Sequence, residues 1–209
     1  LAIAVCYQIR VLIPTSMNNP KIKIKQTDLL SNNWYLLNNV TFDFLRKDGV
    51  WITQKREVYD RGNGAAILLY NSQQKTIILT RQFRLPSYLN GNETGMMIDV
   101  CAVLLDQDLP EQCIIRETEE ETGYRIKSVQ KIMETFVSPG AVTEILHLFI
   151  GEYDASMKIH EGGGLEHEHE EIEVIEMPFA EAYNWIATGE IRDAKTIILL
   201  QYAKINNLV

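Results

Sequence analysis

The order of local signals along this chain predicts an α+β fold, with β-rich stretches before and after one central helix and two further helices at the tail. Three observations carry that reading. The first half holds two consecutive hairpin patterns, WYLLNNVTFDFLRKDG with VWITQKREVYDRGNG and AAILLY with TIILTRQF. Residues 109–122 form one helical stretch bounded by Pro110 and Gly123. The tail EAYNWIATGEIRDAKTIILLQYAKI reads as two amphipathic helices broken at Gly189.

Composition sets the outer limits. A chain of 209 residues, 46% hydrophobic and 23% charged, is long enough for one substantial core, or for one domain with a small appendage. Its net charge of −8 argues against nucleic acid as the main partner, while local cations and metal ions still allow a small nucleotide. Cys6, Cys101 and Cys113 make neither a CxxC pair nor a disulfide framework, which fits a reducing, cytoplasmic setting. No apolar run reaches the roughly 18 residues that span a bilayer, so no membrane partner is expected. The opening LAIAVCYQIRVLIPTS is apolar, interrupted by Arg10, and lacks the basic front and cleavage site of a signal peptide. The native fold is expected to begin near Met17, with residues 1–16 an upstream or non-native extension; an extra strand is the alternative.

The elements follow in order. KIKIK alternates as a strand does, and the first hairpin turns at Lys47-Asp48-Gly49, where Asp-Gly is a strong turn signal. The second hairpin turns through polar NSQQK. LPSYLNGNETG reads as a loop and MMIDVCAVLL as a short apolar stretch. In the central helix Asp108 is expected to cap, with Pro110 in the first turn, Glu111 completing a capping box and Gly123 as left-handed terminator. KSVQKIMETFVS, TEILHLFIGEYD and IEVIEM read as later strands.

The central helix ends in RETEEETGY, four glutamates within six residues. On a helix Glu117, Glu120 and Glu121 stand at i, i+3 and i+4 and share a face, where like charges repel by roughly a few tenths of a kcal/mol per pair. Arg116 can reach Glu120. Three convergent carboxylates suit a divalent cation such as Mg²⁺, with Mn²⁺ as the alternative, which takes oxygen ligands and keeps waters while bridging to phosphates. The competing reading is a solvated acidic face.

RETEEETGY resembles the second half of the Nudix box, a glycine, five residues, a glutamate, seven residues, then R-E-U-x-E-E-x-G-U with U apolar. Arg116, Glu117, Glu120, Glu121 and Gly123 match, and Tyr124 matches loosely. REVYDRGNGAAILLYN, LTRQFR, FVSPGAVTE and TGEIRDAKTIILL are similar to the corresponding stretches of bacterial GDP-mannose hydrolases, relatives of ADP-ribose pyrophosphatases, and the likeness covers roughly residues 20–205. The resemblance implies a Nudix fold, a mixed sheet sandwiched between helices. Residues 17–60 become an N-terminal β segment that helps form a homodimer, and 61–209 the hydrolase domain. It further implies Mg²⁺-dependent hydrolysis of a nucleoside diphosphate sugar, GDP-mannose giving GMP and mannose 1-phosphate. An ADP-ribose pyrophosphatase, or a catalytically weakened nucleotide-binding module, is the alternative.

Carried over residue by residue, the resemblance makes Glu117, Glu120 and Glu121 metal ligands, Glu121 also catalytic, and Arg116 and Gly123 supports of the helix. Asp99 stands where relatives place a further ligating Glu. Within GGGLEHEHEEIEV, Glu170 or Glu168 takes the place of a loop glutamate that binds metal or activates water, and Gly162, Gly163 and Gly164 suit a lid. His167 and His169 leave an H-x-H metal site as the rival there. Arg61, Arg81 and Arg84 match arginines suited to phosphate, with plain surface arginines as the other reading. Arg56 and Tyr59 are candidates for holding the base or shaping the pocket. Asp193 and Lys195 in IRDAKT read as a mainly structural helix start. The box departs from the family pattern in three places: Val103 or Ala102 stands where glycine is usual, Leu109 or Asp108 replaces the midway Glu, and Thr118 fills an apolar position. If the backbone at the missing glycine needs positive φ, valine there is costly.

Overall fold

The computed structural model describes residues 19–105, 108–164 and 171–209. They fall into two compact units. The first takes residues 19–62 and 138–144, and the second residues 63–137 and 145–209.

The first unit is an antiparallel sheet of β1 (Ile22–Asn32), β2 (Leu36–Leu45) and β3 (Trp51–Asp60), in that order. β2 and β3 pair without interruption from Leu36↔Asp60 to Leu45↔Trp51. Their turn is the expected Lys47-Asp48-Gly49, with Gly49 at φ 80° and the Val50 N–H donating to Asp48 at 3.2 Å. Most of β1 is exposed, including Ile22, Ile24, Leu29 and Leu30. Segment 138–144 joins this unit through backbone bonds from Tyr59 N to Ala141 O at 2.8 Å and Thr143 N to Tyr59 O at 3.1 Å.

The second unit is a seven-stranded mixed sheet with helices on both faces. Its strands are β4 (Gly64–Asn71), β5 (Thr76–Phe83), β6 (Met96–Asp99), β7 (Cys101–Leu104), β8 (Gln130–Phe136), β9 (Ile145–Glu152) and β10 (Glu173–Pro178). β4 runs parallel to β9 and antiparallel to β5 and β7. It is central because its sequence AAILL is apolar at every position, so both faces can be buried. Strand geometry sends alternate residues to opposite sides. Ala66 and Leu68 accordingly enter one core with Leu79, Leu148 and Val100, and Ala65, Ile67 and Leu69 enter the other with Ile78 and Phe149.

Helices complete each core. α2 (Pro110–Thr122) contributes Ile114 to the second core. α3 (Phe179–Thr188) and α4 (Ala194–Ile205) contribute Phe179, Ala182, Leu199 and Leu200 to the first. Gly189, at φ 90°, ends α3 where the sequence predicts the break. The predicted α+β class and mixed sandwich with an N-terminal β unit therefore hold. LPSYLNGNETG is less irregular than expected, since it opens with a one-turn helix, α1 (Leu85–Leu89), started by its proline.

MMIDVCAVLL is not one strand. β4 and β5 pair only from Leu69↔Ile78 to Asn71↔Thr76 and then diverge. β6 lines the β5 side of the fork and β7 the β4 side, with Val100 as the crossing point, its N–H bound to Thr196 Oγ1 of α4 at 3.0 Å. Val103 lies opposite Ala65 in regular β7, half-buried against the second core. Among the described residues the non-glycine positions with positive φ are Lys75 and Asn207. The backbone at 102–103 therefore makes no demand for glycine, and valine there is an ordinary strand residue.

Candidate active site

α2 carries the crowded glutamates. Its start differs from the expected capping box: the cap position is Leu109, extended at φ −66° and ψ 143°, with no side-chain bond to the helix. Asp108 is one residue too early to cap and accepts from Arg116 Nη1 at 2.9 Å. Pro110 at the first helical position needs no cap for an N–H it lacks. At the other end Gly123 is left-handed, at φ 79°, as expected.

Along the helix the four glutamates divide. Glu119 points to Arg125 and takes a two-pronged bond, Nε to Oε2 at 2.7 Å and Nη2 to Oε1 at 2.8 Å. The Arg125 partner holds the Glu119 carboxyl below its ordinary range. Glu117 and Glu120 are half-buried and Glu121 is buried, 3% exposed. Beneath them lies Cys101 of β7, fully buried with Thr118. Burial, and then the negative charge of Glu121, push the Cys101 thiol well above its usual range. Thr118 suits its apolar position because its hydroxyl is spent on Ile114 O at 2.6 Å. Tyr124 suits its own by burying its ring in the second core against Tyr153, with its hydroxyl 3.3 Å from Glu176. Burial and Glu176 push the Tyr124 hydroxyl up to about 12.

The donors on this face are thus carboxylate oxygens, which fit a hard divalent cation such as Mg²⁺ or Mn²⁺ better than a soft one. Among the described residues no group of three or more His, Cys, Asp or Glu side chains is placed to hold a metal ion by itself. A one-sided set of carboxylates matches an ion that keeps several waters and takes substrate phosphate oxygens as ligands. Glu168, Glu170, His167 and His169 lie outside the described residues.

A second charged cluster sits at the sheet fork. Asp99, 2% exposed, accepts from Thr80 Oγ1 at 3.0 Å, Arg84 Nη2 at 3.1 Å and Lys195 Nζ at 3.3 Å. Lys195 also donates to Asp193 Oδ1 at 2.9 Å, and Asp193 caps α4 by accepting from Thr196 N at 2.9 Å. Burial alone raises the Asp193 carboxyl, but the Lys195 charge and the Thr196 donors outweigh it and hold the group below its usual value. Sequence reasoning finds Asp99, Arg84, Asp193 and Lys195 separately. Their joining depends on the fork and could not be read from spacing. Asp99→Asn is expected to destabilise the fold by about 2 kcal/mol, because it leaves two cations with less anionic company; the figure is discounted for the half-exposed Arg84. A urea unfolding midpoint identical to that of the parent chain would show that the cluster carries no stability.

The remaining predicted residues lie elsewhere. Arg81 of β5 donates through Nε to its cross-strand neighbour Glu173 at 2.7 Å and is exposed. Arg61, Arg56 and Tyr59 belong to the first unit. Arg61 lies 5.6 Å over the Tyr35 ring with Nε 3.7 Å from Glu144, which is 8% exposed. Tyr59 packs edge-on against Tyr35 at 5.8 Å. Arg56 is exposed and bonds locally to Lys55 O and Gln54 Oε1, each at 2.7 Å.

Comparison with known proteins places these features in a family. Residues 21–59 match the model described as the GDP-mannose pyrophosphatase NudK N-terminal domain, and residues 60–200 match the NUDIX domain. A protein of Cronobacter sakazakii named GDP-mannose pyrophosphatase is 53% identical over 93% of this chain and 99% of its own length. Proteins of the same name from Escherichia coli and Shigella dysenteriae are 52% and 51% identical over 90% of this chain and 98% of theirs. No helix among the described residues is long and apolar enough to cross a membrane. With its glutamate helix seated on a mixed sheet and most of its length matched by the domain model, the chain belongs to the Nudix hydrolase family.

Proposed function

We propose that this chain hydrolyses GDP-mannose to GMP and mannose 1-phosphate in the cytoplasm, with Mg²⁺ as its cation. The observation that carries the substrate assignment is that the likeness to GDP-mannose pyrophosphatases runs through both units, the N-terminal β unit included. Nudix hydrolases use a divalent cation, and its ligands here are Glu117, Glu120 and Glu121 of α2, with Mn²⁺ as an alternative ion. When bound, the ion neutralises diphosphate charge and lowers the pKa of a water that attacks phosphorus.

The protein side of the reaction is positioning and charge. Water adds across the P–O–P bridge, one phosphorus–oxygen bond forming as the bridging one breaks, and each product leaves as a phosphomonoester. Glu121, held rigidly by burial, fixes the geometry of the carboxylate face, while Glu117 and Glu120 add charge nearer solvent. Glu170 or Glu168 serves as the loop carboxylate of this site. Arg84, anchored by Asp99, turns a half-exposed guanidinium toward phosphate. We assign Asp99 this anchoring role because its oxygens already serve Arg84, Lys195 and Thr80. Arg81 and Arg61 are further phosphate candidates, and Arg56 and Tyr59 candidates for the base. The chain acts as a homodimer through its three-stranded unit, a reading supported by exposed Ile24, Leu29, Leu30 and Trp51 on that sheet.

A panel of GDP-mannose, ADP-ribose and other diphosphate sugars, each with and without Mg²⁺, separates the readings. The expected outcome is metal-dependent phosphomonoester release that is fastest from GDP-mannose. Preference for ADP-ribose would overturn the substrate, and nucleotide binding without cleavage of any compound would make the chain a binding module.

A further inference from the structure

The described residues on either side of 165–170 meet at Gly163. Gly162, Gly163 and Gly164 suit a lid by sequence, and in the fold they also meet the end of α2. Gly162, Gly163 and Gly164 all have positive φ, at 72°, 111° and 78°. Gly163 N donates to Glu121 O at 2.8 Å and Gly164 N to Glu120 O at 3.3 Å. Those carbonyls lie in the last turn of α2, where no following helical N–H remains to bind them. Just upstream, Ile159 N donates to Gly123 O at 2.8 Å. Ile172 N, on the far side of the segment, donates to Gly163 O at 3.3 Å. Gly163 therefore bonds both to Ile172 and to the peptide carbonyl of Glu121.

The fit is close enough to require glycine on both sides. A Cβ at Gly162 would stand 2.4 Å from Glu121 O and 2.6 Å from Thr122 C. A Cβ at Gly123 would stand 1.9 Å from His160 O. Neither obstacle is a flexible side-chain tip; both are backbone. His160 stiffens the turn further, its Nδ1 accepting from Gly162 N at 3.0 Å.

We infer that residues 159–164 form a strap whose glycines are positioning residues for the reaction: they lock the last turn of α2, with Glu120 and Glu121, against Gly163 and Gly164 and, through Gly163, against Ile172. The inference rests on the proposed role of those two glutamates as cation ligands. A hinge would leave the glycine N–H groups free to exchange partners, whereas here two of them are committed to the glutamates' own peptide carbonyls. The strap acts through the backbone and touches no substrate.

The test compares Gly162→Ala and Gly163→Ala with Gly140→Ala, where a Cβ meets nothing within 4 Å. At Gly163 a Cβ has room, 3.7 Å from Ile172 O, so that variant tests strain at φ 111° without collision. Each full-length variant is titrated with Mn²⁺ alone by calorimetry and then assayed with the sugar nucleotide that the parent chain hydrolyses. Gly162→Ala is expected to weaken Mn²⁺ binding about tenfold and to lower kcat about 10²-fold with KM within about threefold, the scale of ligands displaced by roughly an ångström. Gly163→Ala shows the same pattern more weakly, and Gly140→Ala shows neither effect. If folded Gly162→Ala or Gly163→Ala melts earlier but keeps parental Mn²⁺ affinity and kcat, the strap is only structural and the inference is overturned. Should Gly162→Ala fail to fold, Gly163→Ala carries the test. A parent chain that binds Mn²⁺ and hydrolyses nothing would refute the proposed function while the Mn²⁺ titrations still decide the strap; one that binds no Mn²⁺ would refute both.

Discussion

Glu121→Gln is expected to lower turnover by at least about 10³-fold while leaving the fold intact, the scale set by losing several kcal/mol of charge stabilisation at phosphorus. The two effects separate because of where Glu121 sits. Its side chain is buried, and glutamine has the same length and shape. A buried amide costs less than a buried carboxylate, and removing one charge relieves repulsion from Glu117 at i,i+4, worth roughly a few tenths of a kcal/mol. Without metal the variant should therefore melt no earlier than the parent. Added Mg²⁺ should raise the parental melting temperature by mass action and raise that of the variant far less. Parental turnover in the variant would remove Glu121 from the site, and an early metal-free melt would mean that its carboxylate is a structural group instead.

The second large effect is on stability. Gly123→Ala is expected to cost on the order of 3 kcal/mol. About 1–2 kcal/mol comes from placing alanine in the left-handed region, at φ 79°. The rest comes from collision with His160 O, which forces residues 159–164 off the helix and gives up backbone bonds worth about 0.5–1.5 kcal/mol each. For a chain of this size the melting temperature should fall by about 6–12 °C. A scanning-calorimetry shift under about 2 °C would show that the strap yields easily and that the close contact is not a real constraint.

What could be read in the sequence was what local chemistry dictates. Asp48-Gly49 marks its hairpin by itself, Gly123 and Gly189 end helices by themselves, and the i, i+3, i+4 spacing of Glu117, Glu120 and Glu121 puts them on one face whatever surrounds them. The misreadings share a cause, which is that tertiary partners reassigned a side chain. Asp108 has the chemistry of a cap, but the helix begins one residue later and its carboxylate goes to Arg116. Val103 looks like a lost glycine until β7 is seen pairing with β4, where no positive φ is needed. The bonds from Arg84 and Lys195 to Asp99 are not legible in the sequence either, because both come to it from distant stretches of chain. The bonds of the glycine run to α2 are hidden for the same reason: their partners are carbonyls some forty residues earlier. Tyr124 and Thr118 break the apolar pattern of the motif only in composition, since burial and an internal hydroxyl bond let each behave as the pattern requires.

The central claim is that this glutamate helix serves the metal-dependent breaking of a nucleotide-sugar diphosphate. Phosphorus NMR of GDP-mannose incubated with the full chain tests it most directly, with Mg²⁺ and then with the ion chelated. The two coupled diphosphate resonances are expected to give way to two uncoupled phosphomonoester signals, those of GMP and mannose 1-phosphate, only while Mg²⁺ is available. An intact diphosphate in the presence of Mg²⁺, or cleavage that continues undiminished after chelation, would contradict it.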